Sequence, residues 1–269
     1  MSDLFNIKIL IRGGGDLGSG AALKLHNSGL KTAVVDLPQP LSIRREVSCS
    51  TALMRNSIAI EGVRARRVTE PPDFKGDFIP VFTINDDFLP LTQFDVIIDA
   101  ALKSGERRIT SRGEAPFTVG LGPGFQAPED IDCVIETGRG HNLGHVIWSG
   151  CAEDHTGRPG PIEGATVERV LRAPSEGKFK PLKQIGDIVQ KNELIGWVAG
   201  RELRAGIHGV IRGLSAEGLH LKKGEKLCDI DPRGIRRHVF TVSDRSRCVA
   251  GGVLEALLTW VSGKAPSGE

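Results

Sequence analysis

The hydrophobic pattern at the start of the chain predicts a strand, a glycine loop, a helix and a second strand. Residues 7–11 form a short apolar run that enters a glycine cluster, and apolar residues then recur at helical spacing over residues 17–25. Residues 32–35 are small or β-branched and are followed by Asp36 and two prolines. This order of apolar periods is typical of a βαβ unit.

The following apolar segments predict further strands of the same sheet. They are continuous rather than alternating, as in parallel strands that are covered on both faces. They comprise residues 78–82, 96–98, 117–121 and 134–135. The polar, glycine- and proline-rich stretch at residues 152–164 reads as a linker. We therefore expect a Rossmann-like nucleotide-binding domain over residues 1–165.

An internal repeat follows the linker. Residues 171–198 match residues 203–230 without gaps, at an offset of 32 residues. Two such halves are expected to pack as one small barrel, because neither half can bury its apolar face alone. The layout resembles the barrel-sandwich hybrid of biotinyl and lipoyl domains. The junction at residues 198–203 has no lysine to carry a cofactor, which favours a structural or docking barrel.

The remaining pattern completes the predicted architecture. Apolar residues at helical spacing over residues 246–261 predict a helix that packs on the first domain. The expected domains are residues 1–165, residues 166–235 for the barrel with its repeat, and residues 236–269 for the C-terminal segment. The fold class is α/β: a Rossmann-like parallel sheet, a small all-β barrel-sandwich-hybrid domain and a C-terminal helix.

Composition narrows the function classes. Lys and Arg number 35 against 33 Asp and Glu, so the net charge of +2 does not call for nucleic acid or an anionic membrane. No window approaches the roughly 18 apolar residues that a membrane span requires, and we expect a cytoplasmic protein. The five cysteines form no CxxC pair, so we expect reduced thiols and no metal site.

The glycine cluster carries the most specific signal. Gly13, Gly15 and Gly18 match GxGxxG between the predicted strand and helix, with Asp36 at the end of the next strand. Such glycines permit a tight turn, close approach to a pyrophosphate, and packing of helix against strand, while the acid accepts hydrogen bonds from a ribose. Together with Gly14, these residues are predicted to bind NAD(P) or another nucleotide.

Four neighbouring charged residues qualify this prediction. Asp16 places a carboxylate inside the loop, where it would repel a pyrophosphate unless neutralised, and Arg12 replaces the usual apolar residue. A retained scaffold with an altered ligand is therefore the alternative. Arg44 and Arg45 follow Asp36 closely and are assigned to a 2′-phosphate or another anion, with a solvated face as the alternative.

Two later segments are further candidates. Gly122 and Gly124 form a second glycine loop at a predicted strand end, which is either the opposite wall of the site or a simple turn. In the segment ETGRGHNLGH, His141 is a candidate general acid or base and Arg139 a candidate anion clamp. His145 would lie roughly 13 Å from His141 along a strand, which argues against a shared metal.

Motifs spread over nearly the whole chain carry a resemblance to a family. They are IRGGGDLGSGAALKLH, DLPQPLSIRREVS, EGVRARRV, GLGPGF, VIETGRGHNLGHVIW, LRAP, FTVSDRS and AGGVLEA. In combination they resemble the YqeB-type accessory proteins of selenium-dependent molybdenum hydroxylase systems. The resemblance implies a role in maturing or supplying a molybdenum hydroxylase, and it gives no role to Cys49, which stands where phenylalanine is expected.

The leading hypothesis is an accessory protein that binds a nucleotide, or the nucleotide part of a molybdopterin cofactor, through the glycine loop, Asp36 and the GRGH segment. Its expected partners are a molybdenum hydroxylase or its maturation factors, and a homo-oligomer is left open. One competing hypothesis is an NAD(P)-dependent oxidoreductase with His141 as acid or base. The other is a non-catalytic docking scaffold.

Overall fold

A computed structural model describes residues 4–84, 93–101, 110–154 and 157–266. The chain divides into two compact units. The first contains Met1–Pro40, Ser48–His155 and Val242–Glu269, and the second contains Leu41–Val47 and Thr156–Thr241. Residues 41–47 thus belong to the second unit although they lie inside the predicted first domain. The predicted linker includes residues 155–156, which are outside the described residues.

The first unit is built on a nine-stranded sheet in the order β3-β4-β5-β2-β1-β6-β7-β8-β9. Its strands are β1 (Lys8–Arg12), β2 (Lys31–Asp36), β3 (Ser57–Ile60), β4 (Val63–Arg67), β5 (Ile79–Thr83), β6 (Val96–Asp99), β7 (Phe117–Leu121), β8 (Cys133–Ile135) and β9 (Val146–Ile147). Neighbours from β4 to β8 are parallel. The edge strands β3 and β9 are antiparallel to β4 and β8, respectively.

Three α-helices lie in the described part of the first unit: α1 (Asp16–Asn27), α2 (Ala52–Arg55) and α3 (Asp244–Val261). The predicted β1–α1–β2 unit is confirmed, and Arg12 at the end of β1 pairs in register with Val35 of β2. Helix α3 packs closely on α1, since a Cβ atom built on Gly20 would lie 2.8 Å from Ser246 Cβ. None of the helices within the described ranges has the length and apolarity needed to cross a bilayer.

The second unit consists of two four-stranded antiparallel sheets, β10-β17-β15-β12 and β14-β13-β11-β16. Its strands are β10 (Val170–Arg172), β11 (Gly177–Pro181), β12 (Ile188–Val189), β13 (Leu194–Val198), β14 (Arg201–Arg204), β15 (Gly209–Leu214), β16 (His220–Leu221) and β17 (Lys226–Asp231). The repeat offset of 32 residues carries the first residue of β11, β12 and β13 onto that of β15, β16 and β17. Each sheet therefore contains strands from both halves of the repeat.

Residues 41–47 are attached to the second unit by main-chain and side-chain hydrogen bonds. The Leu214 amide donates to the Ile43 carbonyl at 2.8 Å, and Arg45 Nε donates to the Leu214 carbonyl at 2.8 Å. A Cβ atom on Gly213 would lie 3.1 Å from the Ile43 side chain. This unit is therefore discontinuous in sequence.

The predicted fold class, a Rossmann-like parallel sheet followed by a small barrel-sandwich hybrid, is wrong. The large sheet is mixed, because an antiparallel strand closes each edge. A doubly wound fold places a helix between successive parallel strands. In the described residues, α1 is the only α-helix of more than four residues that joins consecutive strands of this sheet. The second unit consists of two separate four-stranded antiparallel sheets.

Candidate functional site

The carboxyl ends of the parallel strands bring the predicted loops to one edge of the large sheet. The glycine loop (residues 13–18) follows β1, and Asp36 ends the neighbouring β2. The second glycine loop (residues 122–124) follows β7, and the GRGH loop (residues 136–145) follows β8. Since strands β1, β6, β7 and β8 are adjacent in this order, these loops lie along the same edge.

Steric contacts explain two glycines of the glycine loop. Gly13 has a positive φ of 96°, and a Cβ atom there would lie 2.9 Å from the Ala100 carbonyl carbon. A Cβ atom on Gly18 would lie 1.9 Å from the Gly13 carbonyl oxygen. A side chain at Gly13 would therefore push the loop away from the backbone that follows β6, and one at Gly18 would push the first turn of α1 away from the end of β1.

Hydrogen bonds fix the Gly14 peptide on both sides. Its amide donates to Asp36 Oδ2 at 2.8 Å, and its carbonyl accepts from Ser50 Oγ at 3.0 Å and from Ser19 Oγ at 2.8 Å. Burial raises the pKa of Asp36, and hydrogen bonds from the amides of Leu37 and Gly14 and from Ser50 offset part of this rise. Asp36 thus holds the loop in place.

The main-chain amides of Gly15, Leu17 and Gly18 form a cradle at the start of α1 that fits an anionic group. Within the described chain, these three amides donate no hydrogen bond. The Asp16 carboxylate is held by Ser246, whose Oγ donates to Asp16 Oδ1 at 3.0 Å. Unpartnered amides at a helix N-terminus are donors that a phosphate can accept from, so the residues present are compatible with a nucleotide phosphate.

The GRGH loop is anchored by a buried carboxylate. Glu136 is 2 % exposed, and its Oε1 accepts from the Gly138 amide at 2.5 Å while Oε2 accepts from the Glu153 amide at 2.7 Å. Arg139 forms an ion pair with Asp244 of α3 at 2.9 Å. The loop is therefore attached to helix α3, and the predicted anion clamp Arg139 is already paired with a carboxylate.

The two histidines of the GRGH loop are exposed. His141 and His145 both face solvent, and the His145 amide donates to the Asn142 carbonyl at 2.9 Å. No group of three or more metal-ligating side chains is found in the described ranges. In the second glycine loop, Gly122 and Gly124 have positive φ values of 77° and 100°. The roles of His141, Gly122 and Gly124 towards a ligand stay predictions.

Arg245, in the first turn of α3, contacts the GRGH loop. Its Nε donates to the Thr137 carbonyl at 2.7 Å. Burial lowers the pKa of Arg245, the positive charge of Arg139 lowers it further, and the carboxylates of Asp16, Glu136 and Asp244 act in the opposite direction. A half-buried guanidinium is therefore bonded to the GRGH loop and lies within electrostatic range of Asp16 at the start of α1.

The other predicted arginines have structural contacts. Arg12 is buried on β1, where its Nη1 donates to Thr110 Oγ1 at 2.6 Å and its Nη2 pairs with Glu114 at 2.7 Å. Arg44 and Arg45 lie in the second unit and donate to main-chain carbonyls, Arg44 to Thr241 at 3.2 Å and Arg45 to Leu214. Their assignment to a ligand phosphate stays a prediction.

Sequence reasoning missed the residues that fix the loops: Ser19, Ser50, Arg245 and Ser246. Except for Ser19, which donates to the Gly14 carbonyl five positions away, they bond to partners far away in sequence, and Ser246 bonds Asp16 from 230 positions along the chain. The available signal was the small hydroxyl residues in SCST and SDRS, which are common where side chains bond to the backbone of turns and helix starts.

Comparisons with known proteins give a relative but no activity. No protein-family model matches the chain. The chain is 40 % identical over 260 residues to the uncharacterized protein YqeB of Escherichia coli (strain K12). This match covers 93 % of the chain and 47 % of that relative, so the chain spans about half the length of the curated relative it matches.

Two solved structures are similar only weakly. A succinylglutamate desuccinylase/aspartoacylase of Rhodobacter sphaeroides has a TM-score of 0.26 and 14 % identity, covering 83 % of this chain and 85 % of that one. An aspartoacylase family protein of Mesorhizobium loti has a TM-score of 0.27 and 13 % identity, covering 83 % and 84 %. Scores this low do not indicate a shared fold. The chain is thus similar to an uncharacterized protein that is about twice as long.

Proposed function

We propose that this protein binds a nucleotide or a nucleotide-containing cofactor at the glycine loop. The observation that supports this proposal most directly is the cradle at the start of α1. There the amides of Gly15, Leu17 and Gly18 have no acceptor in the described chain. Asp36 holds the adjacent Gly14 peptide, so the loop is ordered before a ligand arrives. A preordered cradle loses little conformational entropy on binding, which supports a specific site.

The cellular role that we propose is accessory to molybdenum hydroxylase maturation. It is supported by the similarity to YqeB and by the resemblance of the sequence motifs to selenium-dependent molybdenum hydroxylase accessory proteins. In this role the ligand is NAD(P), another nucleotide, or the nucleotide part of a molybdopterin cofactor. The protein partner is the hydroxylase or one of its maturation factors.

Calorimetric titration of the full chain with NAD, NADP, CTP, GTP and molybdopterin dinucleotides tests the ligand proposal. We expect at least one to bind and to raise the melting temperature, because a ligand of the folded state stabilises that state. Gly15→Asp should abolish this binding by placing a second carboxylate beside the cradle. The matched control is Gly251→Asp on α3, where a Cβ atom meets nothing within 4 Å. Absence of heat and of any melting shift for every ligand would refute the proposal.

A further inference from the structure

Arg245 has an incomplete set of partners for a half-buried guanidinium. Among the described residues, its one hydrogen bond is from Nε to the Thr137 carbonyl, and it forms no ion pair. A guanidinium carries five N–H donors, so the described residues use only a small part of its donor capacity. The hydroxyl of Thr137 is fully buried and has no hydrogen-bond partner in the described part of the chain.

The carboxylates around Arg245 are engaged with other donors. Asp244 pairs with Arg139 through both carboxylate oxygens, at 2.9 and 3.3 Å. Both oxygens of Glu136 accept from main-chain amides, and Asp16 Oδ1 accepts from Ser246 Oγ. Among the residues that the structure describes, Arg245 is therefore surrounded by acids but has no direct counter-ion.

The position of Arg245 relates it to the glycine loop. Ser246, the next residue, donates to Asp16 at the first position of α1, and the charge of Asp16 acts on Arg245, so the start of α3 lies close to the start of α1. Partial burial makes an uncompensated guanidinium costly, and a bound anion would offset that cost. A phosphate contacted by both an arginine and helix amides is bound by charge-assisted hydrogen bonds, which are stronger than neutral ones.

We propose that Arg245 binds the phosphate of the ligand in the glycine loop and offsets the negative charge of Asp16 there. This inference rests on the proposed function and adds the ligand class: a nucleoside diphosphate, triphosphate or dinucleotide, recognised through its phosphates. Arg245 is then the specificity-determining residue for phosphate, and Arg139 is a structural residue committed to Asp244.

The test measures the affinity of the full chain for NAD, CTP, GTP and the corresponding nucleosides. Arg245→Gln keeps an N–H donor for the Thr137 carbonyl but removes the charge, which protects the fold while removing the phosphate contact. We expect it to weaken nucleotide binding roughly ten- to a hundredfold, as for loss of a charged hydrogen bond, and to leave nucleoside binding unchanged. The matched control is Arg247→Gln on the same helix, whose side chain pairs with Glu61.

The outcomes separate this inference from the proposed function. Wild-type protein that binds none of the nucleotides overturns both. Wild-type protein that binds a nucleotide, with Arg245→Gln folded and within twofold of that affinity, overturns the role of Arg245 alone. An equal loss of affinity for the nucleotide and for the nucleoside would also overturn the role of Arg245 in phosphate binding, because it would indicate a structural role. A selective loss for the nucleotide supports it.

Discussion

The glycine loop and the GRGH loop are both rich in glycine and each is bonded to a carboxylate, yet their other contacts differ. The glycine loop is fixed by steric contact between Gly18 and Gly13, by the Asp36 carboxylate on the Gly14 amide and by two serine hydroxyls on the Gly14 carbonyl. The GRGH loop is held by the buried carboxylate of Glu136 and by an exposed ion pair. The same composition therefore produces a close-packed cradle in one place and an electrostatically anchored, solvent-exposed loop in the other.

The largest effects should come from glycines that face backbone atoms. A Cβ atom would lie 1.9 Å from the Gly13 carbonyl oxygen in Gly18→Ala, and 2.1 Å from the Gly144 carbonyl oxygen in Gly252→Ala. We expect each to lower the free energy of unfolding by about 3 kcal/mol. The matched control Gly251→Ala meets nothing within 4 Å and should be neutral or stabilising by up to about 1 kcal/mol. Urea unfolding showing equal effects in all three would contradict the steric explanation.

The second-largest effect on stability should come from loss of the buried Glu136 carboxylate, which anchors the GRGH loop. Glu136→Gln replaces one acceptor oxygen by an amide that faces the Gly138 or Glu153 N–H group. We expect a loss of about 2 kcal/mol, together with faster hydrogen exchange of those two amides. Glu255→Gln on the exposed face of α3 is the control. Unchanged exchange at both amides would show that the carboxylate does not anchor this loop.

Asp36 should give the glycine loop its own pH dependence. Its pKa in the folded protein is raised above the ordinary value of 3.8. The native state therefore binds this proton more tightly than the unfolded state, so the contribution of Asp36 to stability is present below about pH 3.8 and is lost as pH rises through the folded pKa.

The measurement compares the unfolding free energies of wild type and Asp36→Asn by urea unfolding from about pH 3 to about pH 7. This range extends from below the ordinary pKa of an aspartate to well above it. The stability of wild type relative to the variant should fall as pH rises, and then level off above the folded pKa. A difference that rises with pH would mean that the folded pKa is lowered, and it would contradict the dominance of burial.

The smallest effect on stability is expected from substitution of an exposed cysteine. Labelling of the cysteines with a thiol reagent compares solvent access to the two loops. Cys49 is buried beside the glycine loop, where its amide donates to Ser19 Oγ at 2.7 Å, and burial raises the pKa of its thiol to about 11. Cys248 is exposed beside the GRGH loop and donates to the Leu143 carbonyl.

At neutral pH a thiol reagent should label Cys248 and the exposed Cys151 rapidly, and the three buried cysteines only after unfolding. Cys248→Ser should remove one rapid equivalent and leave the unfolding free energy nearly unchanged. Rapid labelling of Cys49 in the folded protein would show that the glycine loop opens readily.

Local patterns predicted the elements that depend on near neighbours. Helical spacing over residues 17–25 and 246–261 identified α1 and most of α3, and the repeat offset identified corresponding strands in the second unit. The hairpin between β3 and β4 was missed. Its turn has positive φ at both Glu61 and Gly62, which the sequence EG signals less clearly than Asn-Gly or Asp-Gly.

The contacts of the candidate site were less predictable than its glycines. Asp16 was expected to repel a phosphate, but its carboxylate accepts from Ser246, which no spacing rule connects to it. Arg44 and Arg45 follow Asp36 within nine positions, yet their segment belongs to the other compact unit. Proximity in sequence did not predict the partners of these two arginines. The chain passes from one unit to the other at this point, and tertiary contacts determine the side-chain partners there.

The attachment of residues 41–47 to the second unit has a genetic consequence. A gene fragment that starts after the linker would encode all eight strands of that unit but would omit the Ile43 carbonyl that accepts from Leu214. An independently expressed second unit therefore requires residues 41–47 to be retained, and deletion of residues 48–155, which joins this segment directly to residue 156, is the rearrangement that the connectivity favours.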